Sequence, residues 1–530
     1  MDQETIHERR WWTLGVLCLS LLLIVMDNTI VNVALPTIQR DLDASTSDLQ
    51  WVVDAYVLVF AGLLLTAGSL GDRFGRKGAL VLGLGIMATS SALSAVSTTT
   101  TQLIATRALM GVGGAFIMPS TLSVLTNVFA DPKERGRAIA VWAGIAGMAV
   151  ALGPVTGGWL LEHFWWGSVF LINIPVVAVA LLAGHFLIPT SKDPAAPRLD
   201  FAGALLSIVG LTSLVWAIIS AGEHGWTDGS VLAGFGVAAV LLTTFLAWER
   251  YTDHPMLDLS VFRNRRFSAA SGAITFTFFA MFGSLFALTQ YLQFVLGYTP
   301  LEAGVRLLPM AGVMMVVAPS SARLVERIGT KLVVGTGLTI TAVALAWTST
   351  LTAGSGYGEV VLRLMVLSVG MGLTMAPATE SIMGALPRAK AGVGSAVNDT
   401  TRQVGGALGV AVLGSLLAST YSGKVGDAIA GAPLPEGAAD AVTDQLGAAI
   451  VAASRIGGDT GQALAEAARS AFVDGMGIAL LVGAAVAFVG AIGVFLFLPA
   501  RATDTEANES APAPVDDTTA DEIVAEAATA

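Results

Sequence analysis

The sequence predicts an all-α integral membrane protein of about 14 transmembrane helices, built as two six-helix repeats with two inserted helices between them. Three observations lead to this prediction: an apolar composition, an alternating distribution of basic residues and an internal repeat. Of the 530 residues, 54% are hydrophobic and only 13% are charged, whereas soluble domains carry roughly 25% charged residues. The chain therefore lacks the charge that a water-facing surface requires, and a soluble globular fold is excluded.

Apolar runs long enough to cross a hydrocarbon core of ~30 Å recur along the whole chain. The first run follows Arg9 and Arg10 and continues to Pro36. It is longer than the apolar core of a secretion signal, and no small-residue cleavage site follows it, so it is a first membrane helix. The predicted spans are 11–36, 49–70, 79–97, 101–127, 137–161, 168–188, 200–220, 230–249, 267–291, 302–322, 332–351, 359–384, 393–420 and 472–498.

The distribution of Lys and Arg orients these spans. With the N-terminus in the cytoplasm, the segments predicted to face the cytoplasm hold most of the 28 basic residues, as the positive-inside rule requires. The segments predicted to face outwards hold Arg40, Lys424, Arg455 and Arg469. Because the loss of one span would destroy this alternation, an even number of spans is favoured. We therefore expect a multi-pass protein of the cell membrane with both termini in the cytoplasm.

An internal repeat divides the chain. Residues 70–77 read LGDRFGRK and residues 324–331 read LVERIGTK, with an acid, Arg, Gly and Lys in the same register. The first copy follows the second span and the second copy follows the tenth, so the ninth span begins a second half. Paired repeats are the architecture of alternating-access transporters, which carry their binding site between the two halves.

The repeat and the spans together give a segment plan. The predicted segments are a cytoplasmic N-terminus at 1–10, an N-terminal six-helix half at 11–188, two inserted helices with their linkers at 189–266, a C-terminal six-helix half at 267–500 that includes an extracellular loop at 421–471, and an acidic, disordered cytoplasmic tail at 501–530.

Composition also excludes several classes of function. The net charge of −11 argues against nucleic acid, whose binding needs clustered Lys and Arg. Cys18 is the single cysteine and the five histidines are scattered, so neither a disulfide framework nor a metal site is expected. The sequence has no G-x-x-x-x-G-K-[ST] loop to hold nucleotide phosphates. We therefore expect neither an enzyme nor an ATP-driven pump, and no cofactor.

Several motifs resemble one family of transporters. GSLGDRFGRK at 68–77 is similar to the loop signature of the major facilitator superfamily. Five further motifs resemble its fourteen-helix drug:proton antiporters and their quaternary-ammonium and multidrug efflux members: MDNTIVNVALP at 26–36, WVVDAY at 51–56, GPVTGGWL at 153–160, FLINIP at 170–175 and PMLDLSVF at 255–262. The resemblance covers ~10–500 of the chain. It implies a bacterial membrane protein that exports lipophilic, mainly cationic small molecules in exchange for protons.

The loop motif is expected to gate the transporter. Gly71 and Gly75 permit tight turns. Asp72 can lie against a neighbouring arginine or a helix N-terminus, where negative charge is favoured. Such an ion cluster would latch the two halves in one conformation; the alternative is that the basic residues only fix topology. The gating residues are Gly68, Gly71, Asp72, Arg73, Gly75, Arg76 and Lys77.

The fifth predicted span carries the motif that, by resemblance, marks exporters. Its residues are Gly153, Pro154, Gly157 and Gly158. Small residues let helices approach closely, and a proline kinks the helix by removing a hydrogen bond. Ordinary helix packing is the alternative, and it would serve either direction of transport.

Ionisable residues at membrane depth are expected to be functional, because each is costly in lipid. The candidates for proton and substrate coupling are Asp27, Asp54, Arg107, Asp399, Arg402 and Glu380. The depths of the first three overlap, which allows one cluster in the N-terminal half; the alternative is a static Asp54–Arg107 salt bridge. The related motif Arg-x-x-Gln-Gly reads RALMG here, so Met110 replaces a hydrogen-bonding partner.

Aromatic residues are the candidates for contact with a lipophilic cation, because aromatic faces attract cations. Phe279, Phe282, Phe286 and Gln290 recur at helical spacing, and Trp51 lies one turn from Asp54. A lipid-facing stripe is the alternative. For the whole chain, the alternatives to multidrug efflux are an exporter of one endogenous antibiotic or metabolite and an uptake symporter.

Overall fold

The computed structural model describes residues 3–42, 44, 46–192, 200–253, 255, 257, 259–429, 442–443 and 446–500. The tail predicted at 501–530 lies outside the described residues. In the described ranges the chain folds into helices and turns, without a strand. The helices are α1 (Gln3–Asp41), α2 (Thr46–Phe74), α3 (Arg76–Ala95), α4 (Thr100–Val128), α5 (Pro132–His163), α6 (Ser168–Leu171), α7 (Asn173–Leu187), α8 (Phe201–His224), α9 (Gly229–Tyr251), α10 (Arg265–Gln290), α11 (Pro300–Ile328), α12 (Thr330–Thr348), α13 (Tyr357–Met383), α14 (Ala391–Ile429), α15 (Leu446–Ile456) and α16 (Gly458–Phe497).

Among the described residues, 14 segments are long and apolar enough to cross a membrane. The pair α6 and α7 forms one of them, and α15 is too short to be counted. The predicted all-α membrane fold of about 14 spans is therefore confirmed. Because the number of spans is even, both ends of the described chain lie on one side, which we call the terminal face; the other side is the distal face. The Arg10 Nε atom lies 2.9 Å from Glu134 Oε2, which joins the N-terminal part of α1 to the first turn of α5 on the terminal face.

The segment expected as a loop at 421–471 is largely helical where the structure describes it. α14 continues to Ile429, α15 covers Leu446–Ile456, and α16 begins at Gly458. This segment is rich in alanine, as in AAIVAAS and QALAEAA. Alanine has the highest helix propensity, but a hydropathy criterion ends a span as soon as polar residues appear. The helices therefore extend beyond the predicted spans on the distal face.

The helices pack around two large hydrophobic cores. One core is formed mainly by residues before 190 and the other mainly by residues after 256. Between the two halves, α5 packs against α11 and α2 packs against α14. These two pairs form the two seams of the molecule, and the central cavity described below lies between them.

The first inserted helix, α8, covers one of these seams. α8 contacts both α2 and α14. On α2, Leu58 and Ala61 form a small apolar cluster with Val215. Beyond the distal end of α8, the Trp226 Nε1–H group donates to Ser415 Oγ of α14 at 3.3 Å. The inserted helix is thus attached to both halves.

Candidate functional site

A cavity of about 910 Å³ lies between the two halves. Its lining is mostly apolar and comes from helices of both halves, with Ile219 of α8 in the side wall. Asp54, Asp399 and Arg402 are the charged side chains among the described residues that line it. With two carboxylates and one guanidinium, the cavity carries a formal charge of −1 when both acids are ionised. This balance suits a ligand with a single positive charge.

Beside the cavity, Asp27 is fully buried in a polar cluster with Arg107 and Asn173. Arg107 Nη1 donates to Asp27 Oδ2 at 2.8 Å, and Asn173 Nδ2 donates to Asp27 Oδ1 at 2.7 Å. The neighbours of Asp27 on α1, Ile24 and Asn28, line the cavity. Asp27 therefore occupies the face of α1 that packs away from the cavity, towards α4 and α7.

Arg107 is held on several sides. Its Nε–H donates to the Val52 carbonyl at 3.0 Å, and its guanidinium lies 4.5 Å from the centre of the Tyr56 ring. Met110, which stands where the related motif has Gln, places its sulfur 3.9 Å from Arg107 Nη1. The structure therefore assembles Asp27 and Arg107 into one buried ion pair, while Asp54 lies partly buried in the cavity wall.

In the C-terminal half, Asp399 and Arg402 form a looser pair. Arg402 Nη1 lies 4.0 Å from Asp399 Oδ1, and Arg402 Nη2 donates to Thr379 Oγ1 at 3.0 Å. The guanidinium lies between two rings, 4.9 Å from the centre of Trp142 and 5.2 Å from that of Phe278. Because Trp142 belongs to α5, Arg402 contacts the opposite half across the cavity floor.

The two pairs differ in how well their polar atoms are satisfied. Both Asp27 oxygens accept hydrogen bonds. Asp399 Oδ2 and Arg402 Nε have no hydrogen-bond partner among the described residues, although both atoms are buried. Arg107 Nη2 is also buried without a partner among these residues, so the two pairs differ at their carboxylates. A buried polar atom without a partner costs free energy, and Asp399 Oδ2 can gain a hydrogen bond from a proton or a ligand.

Glu380 does not join these coupling candidates. It lies in the last turn of α13, and Arg135 of α5 approaches its Oε1 atom with Nη2 at 3.1 Å. Glu380 was expected among the coupling residues because it is an ionisable residue near the inner end of a membrane span. The structure places it at the terminal face, where its contact ties the two halves together.

The loop motif forms the main contact between the halves at the terminal face. We call this contact the terminal latch; it consists of Asp72, Arg76 and the backbone of residues 388–393. Asp72 Oδ2 accepts from the Gly392 N–H at 2.8 Å and from the Val393 N–H at 3.2 Å. These are free amide groups in the first turn of α14, where a helix favours negative charge. The predicted position of Asp72 against a neighbouring helix N-terminus is what the structure shows.

Arg76 completes the latch from the same half. Its Nε atom lies 2.8 Å from Asp72 Oδ1, and its Nη2 group donates to the carbonyls of Arg388 and Ala389 at 2.7 and 2.8 Å. Arg388 in turn donates from Nη2 to the Ala130 carbonyl at 2.7 Å. All these bonds cross between the halves or support those that do, so the described conformation is closed at the terminal face.

The second copy of the motif makes a similar but weaker contact. Its Glu326 occupies the register of Asp72, and Arg137 of α5 lies 3.3 Å from it through Nη2 and Oε1. This pair is partly exposed, and exposed ion pairs contribute little. The glycines at matching positions of the two copies, Gly75 and Gly329, both have positive φ, 119° and 86°. The repeat therefore produces the same turn in both halves.

Replacement of Gly75 by leucine is expected to slow transport and lower stability. L-residues rarely adopt a φ of 119°, and such strain costs of order 1–3 kcal/mol. A Cβ at this position would lie 3.8 Å from the Ser191 carbonyl oxygen, an ordinary van der Waals distance, so the backbone strain is the expected cost. The melting temperature of Gly75→Leu in detergent, compared with that of Gly78→Leu, checks the loss of stability. Gly78 is the control because it occupies an open helical position on α3. Equal melting temperatures of the two variants would contradict the prediction.

The remaining residues of the loop motif pack or fix the loop. A Cβ on Gly68 would lie 2.6 Å from the Gly392 carbonyl oxygen, so this glycine allows α2 to approach α14. Gly71 faces Ala79. Arg73 lies over the Phe74 ring at 5.3 Å, and Lys77 donates to the His185 carbonyl at 2.7 Å. Lys77 thus fixes the loop to the end of α7.

The exporter motif in α5 separates into two contact surfaces. Gly153 and Gly157 face Thr29 and Ile30 of α1, and a Cβ added at either position would meet these side chains within 3 Å. Gly158 faces Leu301 of α11, and Pro154 contacts Gly304 of the same helix. The motif therefore packs α5 on one side within its own half and on the other across a seam. It does not touch the cavity.

The aromatic stripe divides in a similar way. Phe282, Phe286 and Gln290 line the cavity. Phe279 does not: its side chain is buried in the core of the C-terminal half, and its backbone faces Gly409 of α14. Trp51 is 45% exposed and also lies outside the cavity lining.

Sequence reasoning missed further lining residues. They include Phe60, Phe278, Phe294 and Tyr421, and a group of methionines considered below. Lipid-facing and cavity-facing stripes of a membrane helix are both apolar, so spacing alone could not separate Phe278 from Phe279.

Comparisons with known proteins agree with this architecture. The family model of the Major Facilitator Superfamily matches residues 17–410. A tetracenomycin C resistance and export protein of Streptomyces glaucescens is 37% identical over 96% of this chain and 95% of its own. The multidrug efflux pump LfrA of Mycolicibacterium smegmatis is 36% identical over 91% and 96%.

A more distant relative and one solved structure complete the comparison. The methyl viologen resistance protein SmvA of Salmonella typhimurium is 31% identical over 92% of this chain and 98% of its own. The human organic anion transporter MFSD10 has the same fold, with a TM-score of 0.56 at 16% identity, over 93% of this chain and 100% of its own. From the match to the family model and these relatives, the chain belongs to the Major Facilitator Superfamily.

Proposed function

We propose that this protein is a proton-driven antiporter that exports lipophilic, mainly cationic drugs across a bacterial cell membrane. The observation that carries the proposal is the cavity between the halves, which is largely apolar and aromatic but holds two carboxylates and one guanidinium. Aromatic faces and carboxylates attract an organic cation. Relatives named for multidrug efflux and for methyl viologen resistance support the same direction and substrate class.

In the proposed cycle, buried carboxylates bind the proton that is exchanged for the substrate. Protonation of Asp27 removes its charge and weakens its bond to Arg107, which lies at 2.8 Å. Ile24 and Asn28, on the turns beside Asp27, line the cavity, so a shift of α1 reaches the substrate directly. Asp54 and Asp399 serve as the acids that the substrate cation contacts. Proton binding and cation binding then favour different conformations, which is the requirement for exchange.

The orientation of the cycle follows from the basic residues. With both termini in the cytoplasm, the terminal latch closes the cytoplasmic side. In the proposed cycle, the described conformation is the one in which the cavity is closed to the cytoplasm. Opening of the latch, with closure of the distal side, would return the cavity to the cytoplasm and the inner leaflet of the lipid bilayer.

Inverted membrane vesicles that contain the protein test this proposal. A pH-sensitive dye inside the vesicles reports proton movement when ethidium is added to an established pH gradient. Exchange predicts that ethidium dissipates the gradient, and that an anionic dye of similar size does not. The proposal would be refuted if only the anionic dye caused proton movement, or if no cationic dye caused any.

The charge balance of the cavity leads to a prediction about driving force. Exchange of one proton for one monovalent cation moves no net charge, so only the pH difference drives it, at ~1.4 kcal/mol per unit. A voltage of ~100 mV would add about 2.3 kcal/mol only for each net charge that crosses. We therefore expect nigericin to stop efflux of a monovalent dye and valinomycin with potassium to spare it. We also expect monovalent cations to be exported better than divalent ones of similar size.

The opposite ionophore pattern, measured on the same vesicles, would mean that more than one proton moves per cation. It would leave antiport itself in place, because the dye-dependent proton flux is recorded independently.

Export of one endogenous antibiotic is the second candidate function. It is favoured by the tetracenomycin C export protein among the relatives and by Arg402 in the cavity wall, because a guanidinium can donate to the oxygens of a neutral or acidic aromatic compound. A resistance profile of cells that express the protein separates the two. Protection against one oxygenated aromatic antibiotic and against none of the cations would favour the second.

A further inference from the structure

Methionines are concentrated in the cavity wall. The sequence has 16 methionines, and six of them line this one cavity: Met118, Met281, Met310, Met314, Met371 and Met375. Four of the six form two pairs at a spacing of four residues, on α11 and on α13. Side chains at this spacing lie on one face of a helix.

The two pairs are brought together by helix packing. α11 and α13 are in contact, and Gly372 of α13 lies against Val317 and Ala318 of α11. Met314 reaches across the seam to Gly147 of α5, where an added Cβ would lie 3.2 Å from the methionine Cβ. We call Met310, Met314, Met371 and Met375 the methionine wall.

The same two helices carry methionines with the opposite orientation. Met315 of α11 is 44% exposed and Met365 of α13 is 38% exposed, and neither lines the cavity. Met315 and Met365 therefore lie on the same helices as the methionine wall and have the same hydropathy, but their side chains point away from the cavity. These two residues provide matched controls for the methionine wall.

Methionine has the chemistry of an adaptable contact. Its side chain is unbranched with three rotatable bonds, and its sulfur is polarisable and interacts favourably with aromatic rings. A branched leucine of similar volume has fewer shapes available. A wall of four methionines can therefore fit aromatic ligands of different outline, whereas Phe278 and Phe282 of the same cavity supply rigid faces.

We infer that the methionine wall determines how many different aromatic substrates this one cavity accepts. The inference rests on the proposed drug efflux and adds the residues that set its breadth. Each ligand selects its own set of methionine rotamers, and the carboxylates of the cavity supply the attraction for positive charge that all cationic ligands share. The range of substrates that the cavity accepts and its preference for positive charge then depend on different residues.

Binding measurements on the whole protein in lipid nanodiscs test this inference. The probes are ethidium, rhodamine 6G and tetraphenylphosphonium, and the variant carries Met→Leu at all four positions of the wall. We expect the ratio between the tightest and weakest Kd to widen by about tenfold or more, with Met315→Leu and Met365→Leu unchanged. A uniform change for all probes, or none, would overturn the inference.

Oxidation of the unaltered protein gives an independent test that needs no variant to fold. Mild peroxide converts exposed thioethers to sulfoxides, which mass spectrometry locates. Met314, Met371 and Met375 are at most 3% exposed, so the partly exposed Met310 is the member of the wall that is followed. Saturating ethidium should slow the oxidation of Met310 by about threefold or more, as occupancy would require, and leave Met315 and Met365 unaffected. Equal rates with and without ethidium would overturn the inference. Ethidium–proton exchange in vesicles reports separately on the proposed function, so failure of one is distinguishable from failure of the other.

Discussion

Replacement of Asp27 by asparagine is expected to abolish export against a gradient while the protein remains folded and inserted. Asparagine keeps the shape of the side chain but cannot take up and release a proton. Its amide oxygen can still accept from Arg107 Nη1. Asn173 Oδ1 has no partner among the described residues, so a flip of the Asn173 amide gives the new NH₂ group an acceptor. The buried cluster therefore stays hydrogen-bonded.

The measurement is ethidium accumulation in inverted vesicles, with thermal stability as a check of folding. Asp41→Asn is the matched control, since Asp41 lies at the distal end of the same helix and is exposed. We expect the control to match the unaltered protein and Asp27→Asn to match vesicles without transporter. Full uphill export by Asp27→Asn at equal expression would show that another group carries the proton.

Replacement of Asp72 by asparagine is expected to release the terminal latch. The change removes the charge that faces the α14 N-terminus and leaves the guanidinium of Arg76, which is 2% exposed, without its ion-pair partner. Loss of one partner of a buried pair is strongly destabilising to the contact. We expect turnover to fall at least about tenfold, equivalent to about 1.4 kcal/mol in the barrier, with little change in substrate Kd.

Spin labels measure the conformational change directly. Cys18 is the only native cysteine, so a Cys18→Ala background with Lys133→Cys and Pro387→Cys places one label on each half at the terminal face. Asp72→Asn should lengthen the label distance. Asp131→Asn is the control and should leave the label distance unchanged. Asp131 is an exposed N-cap of α5, and asparagine is an equally good N-cap residue. A collapse of affinity with normal turnover of bound substrate would rule out the latch.

The membrane fold could be predicted because its cause is local. Each span must supply about twenty apolar residues in sequence, and each loop carries its own charge, so composition is sufficient. The contact of Asp72 with a helix N-terminus was also predictable in kind, since few groups at that depth favour a carboxylate. The identity of that helix was not, because α14 begins more than 300 residues later in the chain.

The site was predicted less completely, for a physical reason. Depth along a helix is readable from residue number, but rotation about its axis is not, when every face is apolar. Asp27, Asp54 and Arg107 were therefore expected in one cluster. The structure pairs Arg107 with Asp27 and places Asp54 in the cavity wall, and Asn173, the third member of the buried cluster, was not foreseen. For the same reason, Phe279 was predicted to line the cavity, whereas Phe278 lines it. The methionine wall was not predicted, because its residues resemble lipid-facing residues in a hydropathy profile.

The terminal latch has one property with evolutionary consequences. On the side of the N-terminal half it uses two side chains, whereas on the other side its bonds go to the amides of 392 and 393 and the carbonyls of 388 and 389. Almost any residue offers the peptide groups of 389 and 393, so substitutions there leave the bonds intact unless proline removes the amide of 393. Position 392 requires glycine, because a Cβ there would lie 2.6 Å from the Gly68 carbonyl oxygen and 2.7 Å from the Asp72 carboxylate. The C-terminal half can therefore vary at 389 and 393 without loss of the latch bonds, whereas 392 must remain glycine. A selection for suppressors of an Asp72 defect should accordingly recover changes elsewhere, at the contacts that close the distal face.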